Sequence, residues 1–134
     1  MALFFMRKYE NFCRALENLK EIEKKSPPYD TITTAGMVAL FEICFEQSWK
    51  AMKEILERHG VGEKKIGSPK MIIKQAYAAG MIDDENLWLK VLAARNDVAH
   101  SYNEKIALEI IEASKKIFIA LFEALKEEID KNWS

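Results

Sequence analysis

The sequence predicts an all-α protein: an up-and-down four-helix bundle with one extra short helix. Three observations carry that prediction. Apolar residues recur at spacings of three and four through four long stretches, and no stretch alternates as a strand does. The breaks between these stretches are short and hold proline, glycine or helix-capping residues. Finally, 134 residues with 49% hydrophobic and 31% charged side chains have the composition of an ordinary globular domain, so 1–134 is read as a single domain. A formal net charge of −1 gives no electrostatic footprint for non-specific nucleic-acid binding. No stretch approaches the roughly 18 apolar residues of a membrane span, so a cytoplasmic protein with no membrane partner is expected.

The first helix is predicted from about Leu3 to Lys25, with Phe5, Tyr9, Phe12, Leu16, Leu19 and Ile22 forming one apolar stripe. Ser26-Pro27-Pro28 ends it, because proline lacks the backbone donor and clashes with the preceding turn. The second helix is long, about Thr31 to His59, capped by Asp30 or Thr31. Its core side is Met37, Leu40, Phe41, Cys44, Phe45, Ser48, Met52, Ile55 and Leu56. Glu46 stands four residues before Lys50, the favourable order for a pair on one helix face. Gly60 is placed to end this helix in the left-handed conformation. Ser68-Pro69 then reads as an N-cap and first helical residue, opening a short helix to Ala79 that Gly80 closes. Asp83 or Asp84 caps the fourth helix, which carries Leu87, Trp88, Val91 and Leu92 and runs towards His100. Asn103 caps the last, about Glu104 to Lys131, with Ile106, Ile110, Ile117, Leu121, Phe122, Leu125 and Ile129 on its buried side.

Most of the chemically active residues read as packing or solvated surface. Cys13 and Cys44 lie inside helical patterns and are expected as buried small hydrophobes. No metal site is expected, since neither cysteine has ligand partners at zinc spacing and Glu42 and Glu46 lack the histidine of a di-iron bundle. These two glutamates are expected on a solvated face, with a basic residue of a partner or a place at the motif cleft as the alternatives. Trp49 is expected in the core, or alternatively as an anchor on a dimer surface. His59 reads as a histidine at a helix C-terminus. Lys64-Lys65 reads as a solvated turn, and Met71, Ile72 and Ile73 as packing. Glycine-rich phosphate loops are absent, and no bound cofactor is expected.

One segment is not mere packing. Arg95-Asn96-Asp97-Val98-Ala99-His100-Ser101-Tyr102 concentrates polar and ionisable side chains where the fourth helix turns into the fifth. Asn96 and His100 share a face, but Arg95 and His100 point about 140° apart at roughly 100° per residue. One helix does not easily aim both at one small target, whereas two copies facing across a two-fold axis can. A homodimer is therefore expected. An imidazole near neutrality can accept the proton of an RNA 2′-hydroxyl or protonate the leaving oxygen. A guanidinium, always charged, can grip the phosphate and stabilise added negative charge. Asn96 can orient the imidazole. On spacing alone a second reading stands beside this one: His100 on the helix dipole and Arg95 in a surface ion pair.

The same eight residues resemble the RX4HXY motif of HEPN domains, and more narrowly the HepT-type toxins and the related nucleotidyltransferase substrate-binding proteins. The resemblance extends over nearly the whole chain. Phe41-Glu42-Ile43-Cys44-Phe45-Glu46-Gln47-Ser48-Trp49-Lys50 is similar to the aromatic-acidic stretch of that family's second helix. Ser68-Pro69, Gly80-Met81-Ile82-Asp83-Asp84 and Trp88 match its middle. The resemblance implies a four-helix bundle that dimerises about a two-fold axis and works beside a minimal nucleotidyltransferase, typically a genomic neighbour. It further implies an RNase toxin acting on RNA without a metal. Arg95 and His100 would be the catalytic pair, Asn96 their polar support, and Tyr102 the acceptor of an AMP that silences the site. Such an AMP is expected to pair with Arg95 and fill the space of an RNA phosphate. The alternative within the family is a non-catalytic substrate-binding subunit, an interaction module for the nucleotidyltransferase. The alternative outside it is a helical bundle whose Arg95 and His100 only finish a helix.

Overall fold

A computed structural model describes residues 7–62 and 67–134. These form five helices. Helix α1 spans Arg7–Lys20, α2 Thr31–Arg58, α3 Pro69–Ala78 and α4 Glu85–His100. Helix α5 is α-helical over Glu104–Ala113 and Ile119–Asn132, joined by a π turn over Ser114–Phe118. All described residues outside these helices are turns or connections, so the all-α prediction holds.

The caps explain the boundaries. Asp30, Ser68, Asp84 and Asn103 each accept a hydrogen bond from a backbone N–H of the following helix, at 2.7, 3.3, 3.0 and 2.9 Å. Asp30 and Asp84, rather than Thr31 and Asp83, are therefore the caps. Gly60 ends α2 at φ 68° and Gly80 follows α3 at φ 81°. In each case the glycine N–H and the next N–H turn back onto helix carbonyls, Glu57 and Leu56 after α2, Tyr77 and Ala76 after α3.

Contacts along the helices fix their directions. The Lys8 N–H donates to Glu54 Oε1 at 3.0 Å, which sets the start of α1 against the end of α2. The Tyr9 hydroxyl donates to the Asp130 carboxylate, and Lys20 meets Glu123 at 3.3 Å, so α1 and α5 are also antiparallel. Helix α2 packs most extensively on α1 and touches α3, α4 and α5 as well. The result is the up-and-down bundle, with α3 bridging α2 and α4. Its core includes Phe12, Leu16, Phe41, Phe45, Met52, Trp88 and Phe122, all essentially inaccessible to water. Trp88 meets Phe122 edge-on at 5.6 Å, and Phe41 stacks on Phe118 at 5.6 Å, joining α4 and α2 to α5.

Three details correct the sequence reading. The α-helical part of α1 ends at Lys20, and Glu21–Lys24 tightens into a 3-10 turn before the prolines. The expected start of this helix, with Phe5, lies outside the described residues. Cys44 is buried as expected, but Cys13 is only half-buried. In α5, Ile117 is 46% exposed rather than buried, and Ser114, Phe118 and Ile119 take the core side. The π turn is the reason: its i→i+5 pattern inserts one extra residue, so the apolar face resumes one position later than an unbroken helix would place it.

Candidate functional site

The motif segment divides between two levels of the bundle. Arg95 lies within α4 and reaches across to the middle of α2. Its Nη2 donates to Glu46 Oε2 at 2.9 Å, and its Nη1 donates to Asn96 Oδ1 at 3.0 Å. The guanidinium carbon lies 5.9 Å from the centroid of the Phe45 ring. Glu46 is itself held: the Trp49 indole N–H donates to the same Oε2 at 3.1 Å, and Lys50 Nζ stands 3.5 Å from Oε1. Burial works to raise the Glu46 carboxyl, but the hydrogen bonds from Trp49 and Arg95 and the charges of Arg95 and Lys50 prevail and lower it below its ordinary value. The carboxylate thus stays ionised while about one third exposed.

Towards its C-terminus α4 presents the rest of the motif to solvent. His100 is the last helical residue and is exposed, and its imidazole makes no hydrogen bond among the described residues. Ser101 closes the helix by donating its N–H to Asp97 O at 2.9 Å, and Asn103 opens the next. Tyr102, held between two caps, is 53% exposed. It borders a cleft of about 120 Å³ lined also by Tyr29, Thr31, Thr34 and Glu104. Tyr29 is fixed there by Lys115, whose Nζ donates to the Tyr29 hydroxyl at 2.7 Å and to Lys25 O at 2.5 Å.

Arg95 and His100 belong to one unbroken helix, so the separation of about 140° expected from their spacing applies. Within one chain, then, the fold brings Arg95 to Asn96, Phe45 and Glu46 but does not join it to His100. Asn96 Oδ1 meets Arg95 rather than His100.

Spacing places Glu46 on a solvated face and so misses the anchor of Arg95. Periodicity shows that Glu46, Trp49 and Lys50 stand near one another on α2, but a contact 49 residues distant leaves no trace in helical spacing. Trp49 is buried, as expected, with 8% exposure. His59 is the C-cap of α2, and its Nε2 lies 3.0 Å from Trp133 O. Lys64 and Lys65 lie outside the described residues. Beside Trp49 opens a cleft of about 280 Å³ lined by Lys8, Lys50, Lys53, Glu54 and Glu57. Among the described residues no three histidine, cysteine or acidic side chains cluster as a metal site would require.

Comparison with known proteins gives a consistent picture. Residues 7–131 match the family described as nucleotidyltransferase substrate binding protein like. Over 78 residues the chain is 31% identical to a probable ribonuclease HepT of Haemophilus influenzae, covering 57% of this chain and 53% of that protein. The match thus spans about half the length of the curated relative. A crystal structure of a Thermus thermophilus protein superimposes with a TM-score of 0.77 at 28% identity, over 90% of this chain and 99% of the other. A Haemophilus influenzae protein, described as revealing the fold of a substrate binding domain of a nucleotidyltransferase, gives a TM-score of 0.71 at 23% identity, over 90% and 97%. That last likeness is one of fold.

Proposed function

The chain belongs to the nucleotidyltransferase substrate-binding protein-like family, and from that premise we propose that it is the HEPN partner of a minimal nucleotidyltransferase in the cytoplasm. In this reading it is a HepT-like endoribonuclease whose site is composite. Arg95 of one protomer and His100 of the other act on one RNA phosphate across a two-fold axis, and AMP on Tyr102 silences them. The observation that carries the reading is the contrast along α4: a guanidinium fixed in place five residues before an exposed, unengaged imidazole.

In the reaction the imidazole takes the proton of the 2′-hydroxyl, whose oxygen attacks the adjacent phosphorus. The bond to the 5′-oxygen breaks, leaving a cyclic phosphate, and the leaving oxygen takes a proton from solvent water. The guanidinium holds the phosphate oxygens as negative charge builds on them. For silencing, the Tyr102 hydroxyl attacks the α-phosphorus of a nucleoside triphosphate bound by the nucleotidyltransferase. Pyrophosphate leaves, and the phenolic proton passes to a base of that enzyme. Tyr102 borders Thr31 and Thr34, whereas Glu46 lies twelve residues beyond Thr34 on α2, roughly 18 Å at 1.5 Å per residue. The AMP therefore closes the site at its own chain's His100 rather than at its own Arg95.

A second reading, the non-catalytic substrate-binding subunit, is favoured by one observation: the charge of Arg95 is already met by Glu46. The experiment that separates them uses the purified chain, RNA and EDTA, then the neighbouring nucleotidyltransferase with ATP. Metal-independent cleavage that stops when an AMP mass is added at Tyr102 supports the first reading. A chain that cuts no RNA yet co-purifies with the nucleotidyltransferase supports the second.

A further inference from the structure

We propose that Glu46 is a positioning residue: its carboxylate, locked by Trp49, fixes the plane and reach of the Arg95 guanidinium and leaves three of its five N–H donors for a phosphate. The inference rests on the endoribonuclease reading for the identity of that phosphate, and on geometry for the rest. An arginine carries five N–H donors in a rigid plane. Two of them are spent, one on Glu46 Oε2 and one on Asn96 Oδ1, leaving three without a partner among the described residues. Three donors on one planar group are enough to hold two oxygens of a phosphate in a forked grip.

The anchor is itself over-determined, which distinguishes it from an ordinary surface ion pair. Glu46 Oε2 accepts from a second donor, the Trp49 indole, whose ring is buried and has little freedom to move. Lys50 stands by the other oxygen at 3.5 Å. The Phe45 ring lies against the guanidinium from the same helix, 5.9 Å from centroid to carbon. Phe45, Glu46 and Trp49 fall on neighbouring turns of α2, so one rigid helix sets the place of a side chain carried by another. A long, flexible arginine otherwise loses rotamer freedom at the moment it binds; here that freedom is already restricted before RNA arrives.

The test compares Glu46→Ala, Glu46→Gln and Trp49→Phe in the full chain. RNA cleavage is followed at varied RNA concentration, helicity by circular dichroism, and the Arg95 side chain by the NMR signal of its guanidinium N–H groups. Glu46→Ala is expected to lower kcat by roughly 10- to 100-fold, the loss typical of a misplaced catalytic group, with KM changed much less. Glu46→Gln keeps an acceptor for Nη2 and should retain more activity than Glu46→Ala, while Trp49→Phe falls between wild type and Glu46→Ala. Helicity should stay at the wild-type level in all three. Glu46→Ala that cleaves with wild-type kcat, or a loss equal in Ala and Gln and matched by lost helicity, overturns the proposal. The NMR arm needs no RNA. Slow guanidinium rotation in wild type that becomes fast in Glu46→Ala supports the positioning role even if the wild-type chain cleaves nothing, and fast rotation in wild type overturns it.

Discussion

Arg95 and His100 share a helix but live in opposite circumstances. The guanidinium is gripped by Glu46 and Asn96 and rests against Phe45, whereas the imidazole stands at the helix end with no hydrogen bond among the described residues. A fold that holds one group and leaves the other open has settled where charge will sit before any proton moves. In the endoribonuclease proposed above, the held group is the one that stabilises charge and the open group the one that exchanges protons with substrate.

The strongest way to break this comparison is to exchange the two halves between chains. Arg95→Ala and His100→Ala should each lower RNA cleavage by about 10²- to 10⁴-fold. If the site is shared across a two-fold axis, mixing and refolding the two inactive variants restores activity. Random pairing makes half the dimers hybrid, each with one complete site, so recovery should approach about one quarter of wild type. No recovery on mixing, or a monomer by sedimentation at micromolar concentration, removes the composite site.

A smaller effect sharpens the contrast in stability. Arg95→Ala leaves Glu46 half-buried without its main partner and should destabilise the fold by about 1 kcal/mol, measured by urea unfolding. His100→Ala touches no such partner and should stay within about 0.5 kcal/mol of wild type. Equal losses would mean that the two ends of the motif are not differently held.

The smallest effect is with pH. Hydrogen bonding at the α2 cap lowers the Asp30 carboxyl, and hydrogen bonds from Trp49 and Arg95 lower Glu46 against the opposing effect of burial. A carboxyl lowered by folding adds stability above its unfolded value and loses it as pH falls through the lower folded value. Stability should therefore decline below about pH 4, the ordinary carboxylate range. Glu46→Gln should make that decline shallower. Because Glu46 is partly exposed, solvent screening keeps its share modest. A decline of unchanged steepness in this variant would show that Glu46 is not among the groups responsible.

The sequence carried the architecture because the architecture is local. Asp30, Ser68 and Asn103 are caps readable three residues at a time, and Gly60 and Gly80 mark helix ends by their conformational freedom. The motif was equally legible, since its residues are contiguous. What spacing did not carry was the link between helices. Glu46 looked like the first member of an ordinary pair with Lys50, and that pair is present, yet its stronger hydrogen-bonded partners are Trp49 and Arg95. The π turn was illegible for a different reason. Ile110, Ile117 and Leu121 fit an unbroken helix, and the buried Ser114 gives no apolar signal that the register has shifted.

That extra residue in α5 has a consequence of its own. Everything after Phe118 is set back around the helix axis by one position, so the contacts of Phe122, Leu125, Ile129 and Asp130 with the rest of the bundle depend on a count rather than on a composition. Removing one residue from Ser114–Phe118 would let the helix run straight with its second half facing as it does now, whereas straightening it with every residue kept would rotate that half by about 100° and turn Asp130 away from Tyr9. The π turn acts as a gear tooth: it leaves the helix the same in kind on both sides and decides which face meets the other helices.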